Sequence, residues 1–88
     1  MMADKNYRLE KEFGIISNRI NSRNGDVTEI KLTKMGWFGK SAKYDLRTWI
    51  NGEPRGGVVI GGEAALRRLA ELLNDLCSQL DEEEADED

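Results

Sequence analysis

Four side chains of one short run, Lys43, Asp45, Arg47 and Trp49 of KYDLRTWI, alternate with Tyr44, Leu46, Thr48 and Ile50. Successive side chains of an extended strand point to opposite faces, so the first set shares one face and the second the other. The charged and aromatic face has the chemistry to hold an unpaired nucleic-acid strand. Lys43 and Arg47 neutralise phosphates and Trp49 offers a flat surface to a base; stacking of that kind contributes about 1–3 kcal/mol per base and accepts any base. Asp45 fits this face as a holder of Arg47 or of a lysine on a neighbouring strand. The same residues also describe an ordinary solvated face with a cross-strand ion pair, and the run alone leaves both readings open.

Nearby, GWFGK places Trp37 and Phe38 between two glycines with Lys40 beside them. Aromatics next to lysine suit a loop that closes over bases, whereas the plainer alternative folds one ring back onto the sheet. Arg19, Arg23, Lys34 and Arg55 extend the positive field, and strand register decides which of them line a groove. GGVVIGGE lacks the Gly-Lys-Ser/Thr ending of a phosphate loop and the glycine spacing of a dinucleotide site, so its glycines read as turn and cap residues. The chain has no histidine and one cysteine, Cys77, expected to be buried and inert. Without a recognisable nucleophile motif or acid-base pair, an enzyme is the weakest class; no cofactor or metal is expected.

The elements that must position these residues follow from periodicity and turn signals. FGIISNRINS reads as a first strand from Phe13, and Asn24-Gly25 as a two-residue type I′ turn. VTEIKLTK is a second strand carrying Lys31 opposite Ile30 and Leu32, MGWFGKSA a connection, KYDLRTWI the third strand, NGEPRGG a turn cluster, and VVI a short fourth strand. A helix follows over residues 63–80. On it Leu66, Leu69, Leu73, Leu76 and Leu80, with Ala65, Ala70, Leu72 and Cys77, fill an arc of roughly 160° at roughly 100° per residue. That is wider than one sheet contact needs, so these leucines are expected to serve as core and as a seam with a second copy.

Eighty-eight residues, 39% hydrophobic and 34% charged, bound the answer to one small domain with a thin core, for which a partner subunit is a natural supplement. The net charge of −4 hides an asymmetry. Seven of the seventeen acidic residues lie in DEEEADED at the end, leaving ten against thirteen Lys/Arg over residues 1–80, a net +3. Residues 1–11 are expected to be flexible, 12–80 to form the domain and 81–88 to be a disordered acidic tail. A sharper reading of that tail has it imitate nucleic acid and fold over the basic groove. No apolar run suits a membrane span or a signal peptide, so a cytoplasmic protein is expected.

The ββββα order, the third-strand run YDLRTW and the junction GGVVIGGEAALRRLAELL together resemble the positive-cofactor-four family of transcriptional coactivators, and within it the small bacterial YdbC-like branch. The resemblance spans about Phe13 to Leu80. It implies an α+β fold, a four-stranded curved antiparallel sheet followed by one C-terminal helix, and a homodimer that binds single-stranded DNA with little sequence preference. It further implies that the helix covers one sheet face and that the other forms the groove. Asp45-Leu46-Arg47 matches the family's third-strand motif; Trp49, or Ile50 if the strand is bulged, matches its following aromatic. Phe38 matches the loop aromatic, Lys40 a loop cation and Lys31 the second-strand cation. The implied nucleic-acid contacts are therefore Lys31, Lys34, Trp37, Phe38, Lys40, Lys43, Arg47 and Trp49. The implied partners are single-stranded DNA, or RNA, and transcription or replication machinery. The competing class is a dimeric protein-interaction module using the same aromatic face or a sheet edge.

Overall fold

The computed structural model describes residues 6–86. It contains four strands, β1 (Tyr7–Ile20), β2 (Val27–Trp37), β3 (Lys43–Ile50) and β4 (Glu53–Gly61), followed by one helix, α1 (Glu63–Asp86). The strands pair antiparallel in sequence order, β1-β2-β3-β4, so the sheet is an open meander with β1 and β4 at its edges. The expected ββββα architecture is present.

The 14 residues of β1 pair with the 11 of β2 through three bulges, which leave Glu10, Phe13 and Ile16 as extra residues. Each bulge bends the strand and adds twist. The bulges break the two-residue alternation that marks a strand in a sequence, and β1 starts at Tyr7 rather than near Phe13. The N-terminal segment expected to be flexible is thus strand from Tyr7 onward, and residues 1–5 lie outside the described residues. What holds it is specific: Tyr7 pairs with Trp37, and its ring lies 5.6 Å from that of Trp37 and 6.0 Å, edge-on, from that of Trp49.

The turns also differ from expectation. β1 and β2 are joined by residues 21–26, with the backbone N–H of Arg23 donating to Asn21 Oδ1 and that of Asp26 to Asn24 Oδ1, and only Gly25 has positive φ. Side-chain acceptors thereby replace the two-residue turn expected at Asn24-Gly25. The two-residue turn with both central residues at positive φ occurs instead at Asn51-Gly52 (φ 51° and 85°), directly between β3 and β4. β4 accordingly begins at Glu53 and absorbs most of the expected turn cluster. Its Gly57 pairs with Arg47 so closely that a Cβ there would sit 1.9 Å from the Arg47 Cβ.

The buried side chains Thr33, Met35, Asp45 and Trp49 share one face of the sheet, since Thr33 pairs with Asp45 and Met35 with Lys43 across β2 and β3. No helix lies over them. The bulged sheet curls around its own charged and aromatic face instead. The implied covering of one sheet face by the helix, which would seat Tyr44 and Leu46 against its leucines, is corrected: both are half-buried on the face opposite the buried set, and α1 contacts only β4 to any extent. Leu66 and Leu69 are half-buried, while Leu73, Leu76 and Leu80 are about half exposed and Cys77 is an exposed free thiol rather than a buried one. The helix also outruns its expected end at Leu80 and continues through Asp86, because extending an existing helix through Glu and Ala costs little. Residues 81–86, expected to be disordered, are thus helical, and residues 87–88 lie outside the described residues. No helix among the described residues is long and apolar enough to cross a membrane.

Gly57→Ala is expected to lower the unfolding free energy by about 3 kcal/mol, because backbone and Cβ of Arg47 cannot yield to a new methyl group. Chemical denaturation of the two proteins measures it; a loss below about 0.5 kcal/mol contradicts the close approach.

Candidate nucleic-acid interface

Register assembles the site. Lys31 pairs with Arg47, Thr33 with Asp45 and Met35 with Lys43, so Lys31, Met35, Trp37, Lys43, Asp45, Arg47 and Trp49 share a face. At its centre the Asp45 carboxylate is fully buried and accepts three N–H groups. Arg47 supplies Nε–H to Oδ1 and Nη2–H to Oδ2 at 2.9 Å, a two-pronged pairing, and Trp37 Nε1–H donates to Oδ2 at 3.2 Å. Arg47 also donates from Nη1 to the carbonyl of Arg55 on β4 at 2.8 Å, and its guanidinium lies 4.6 Å from the centre of the Trp37 ring. The expected role of Asp45 as holder of Arg47 matches this geometry. Its grip on Trp37 is an addition.

Beside this cluster opens a hollow of about 480 Å³, lined by Met35, Trp37, Phe38, Lys40, Ser41, Lys43, Arg47 and Val59. Five of the eight expected contact residues, Trp37, Phe38, Lys40, Lys43 and Arg47, therefore meet in one place. Lys40 and Lys43 are exposed at the hollow and Phe38 projects into solvent, 70% exposed. The loop that carries Phe38 is tight: Lys40 N–H donates to the Trp37 carbonyl at 3.0 Å, with Phe38 at φ 53° and Gly39 at φ 78°. Positive φ is a costly setting for phenylalanine, of order 1 kcal/mol or more. The conformation is secured by the Phe38 N–H, which donates to the Asn6 carbonyl at 2.8 Å, and by Gly36, where a Cβ would lie 2.6 Å from the Lys40 carbonyl oxygen.

Three expected residues sit elsewhere. Trp49 is on the anticipated face but beneath its surface, 3% exposed, with the Lys31 ammonium 4.8 Å from its ring centre. It is core, not an open stacking surface, and Ile50 does not take its place because it stays on the opposite face. Lys31 forms ion pairs with Glu12 at 3.2 Å and Glu29 at 3.6 Å, so its charge is already answered within the sheet. Lys34 lies on the other face, over the Tyr44 ring. That face has its own hollow, lined by Ser17, Asn18, Arg19, Thr28, Ile30, Thr48 and Ile50, without an aromatic residue. Met35, Ser41 and Val59 are the lining residues that the sequence reading passed over. Counting alternation on through MGW would have found Met35; Val59 required the register of β4.

Comparison of the chain with protein-family models, with curated proteins and with solved structures finds no match.

Asp45→Ala is expected to cost about 3–5 kcal/mol of stability, since it leaves the Arg47 guanidinium without its carboxylate in a largely buried setting. The same substitution should shift the tryptophan fluorescence as Trp37 loses its acceptor. A denaturation curve unchanged from the parent would contradict the central position given to this carboxylate.

Proposed function

We propose that the protein is a non-enzymatic, homodimeric binder of single-stranded nucleic acid, with little overall sequence preference, acting where strands are melted in transcription, replication or repair. The observation that carries this reading is the convergence of Trp37, Phe38, Lys40, Lys43 and Arg47 on one open hollow. Aromatic rings beside unpaired lysine ammonium groups supply the two terms that unpaired strands need, stacking for bases and charge for phosphates. Duplex stacks its bases internally and gains only the second. Held in a strained turn with its ring in solvent, Phe38 has the placement of a residue retained for contact rather than for packing.

The dimer rests on a separate feature. Beyond Leu69, α1 carries leucines that its own sheet leaves uncovered, with Leu72, Leu73, Leu76 and Leu80 each close to half exposed. Among the described residues only two apolar side chains, Met35 and Trp49, are buried, which is little for a domain of this size. A second copy bringing the same face satisfies both, because a two-fold contact is self-complementary by construction.

Two measurements test these halves. In fluorescence anisotropy with single-stranded oligonucleotides, Lys40→Ala and Lys43→Ala should each flatten the dependence of log K on log salt by about 0.7, whereas Phe38→Asn should weaken binding by about 1–3 kcal/mol with its slope and the protein's stability retained. Absence of oligonucleotide binding at low salt overturns the reading. Sedimentation equilibrium should give twice the chain mass of 10.0 kDa, and Leu73→Glu with Leu76→Glu should abolish that species. A monomer at micromolar concentration contradicts the dimer.

A further inference from the structure

The side chains of the hollow are unbalanced in hydrogen-bonding character. Lys40 and Lys43 bring ammonium groups and Arg47 a guanidinium, all donors without an acceptor. Ser41 contributes one hydroxyl, and Met35, Trp37, Phe38 and Val59 are apolar or aromatic towards a ligand. No carboxylate lines the hollow; Asp45, which holds Arg47 behind it, is fully buried, and both its oxygens are taken by Arg47 and Trp37. No other acidic residue occurs in the chain between Glu29 and Asp45. The indole N–H of Trp37 is spent on Asp45 as well, so it does not address a ligand.

We propose that this hollow receives one unpaired base and discriminates by functional group, taking keto bases (guanine, thymine, uracil) in preference to the amino bases adenine and cytosine. The proposal rests on the single-strand reading above and refines its indifference to sequence at one position. A volume of about 480 Å³ falls in the range of small-molecule sites, so the open hollow has room for a base with part of its sugar. The edge of an entering keto base presents carbonyl oxygens, and in guanine N7 as well, to the lysine donors. Cytosine and adenine present an exocyclic amine at the equivalent place. An amine facing ammonium groups finds only the Ser41 hydroxyl as an acceptor among the lining side chains, so it loses more hydration than it regains. The exposed Phe38 ring accepts either kind of base, so stacking adds affinity without preference, while the two lysines, which also meet phosphate, supply the preference.

The test compares uniform deoxyuridine and deoxycytidine oligonucleotides of equal length, bound to the full chain at neutral pH and followed by fluorescence anisotropy. These bases differ at the keto and amino position without the thymine methyl group. Deoxyuridine is expected to bind about fivefold or more tightly than deoxycytidine. Lys40→Met with Lys43→Met should bring the two affinities together while leaving weaker binding of both. Equal affinities for the parent protein, or a preference unmoved by the lysine substitutions, overturn the proposal while leaving single-strand binding intact. Failure to bind either oligonucleotide overturns the single-strand reading, and the proposal with it.

Discussion

A carboxylate removed from water must be answered by donors, and the Asp45 carboxylate is answered by three. That requirement ties together parts of the molecule that are distant in sequence. It orients the plane of Arg47, which rests on Trp37, and it engages the Trp37 indole directly. Through Nη1 the same guanidinium reaches the Arg55 carbonyl of β4, a reach that the missing side chain at Gly57 leaves unobstructed. The strand edge, the stacking ring and the cation are thus positioned by a single group. A sheet without a covering layer has few other means of holding a polar face rigid.

This arrangement separates two kinds of positive charge. Lys31 and Arg47 face carboxylates inside the curled sheet, and their cations also lie over Trp49 and Trp37. Their charge is largely spent on the fold. Lys40 and Lys43, by contrast, stand exposed at the rim of the hollow. On the proposed reading, the inner pair sets the shape of the surface and the outer pair meets phosphate. An arginine that the sequence motif suggests as a phosphate contact is therefore better understood as the support that keeps Trp37 in place.

The sequence made the order of elements legible, along with all of β3 and the face assignment of Lys43, Asp45, Arg47 and Trp49, because alternation is undisturbed there and its pairing with β2 is regular. It misplaced the start of β1, where three bulges scramble the period and where Tyr7 is anchored by rings thirty or more residues away. Depth was illegible too. Nothing in KYDLRTWI distinguishes a tryptophan on a flat face from one inside a curl, and the curl comes from bulges in another strand. Trp49 and Lys31 were consequently read as surface. Asn-Gly occurs twice, and only the second pair forms the two-residue turn; at the first, Asn21 and Asn24 supply side-chain acceptors that compete with it.

The site and the leucine face lie on different elements, and this has a functional consequence. Every residue lining the hollow comes from β2, β3, β4 or the loop between β2 and β3, whereas the half-exposed Leu72, Leu73, Leu76 and Leu80 are on α1. Pairing two chains through α1 leaves each with a whole site, so a proposed dimer carries two. A strand long enough to enter both converts the second encounter into an intramolecular one, raising avidity without any new contact. Weak individual sites are then sufficient. Two rings and two exposed lysines per chain make a modest surface, and on the proposed reading, in which melted strands are released as well as held, two such sites serve better than a single tight one.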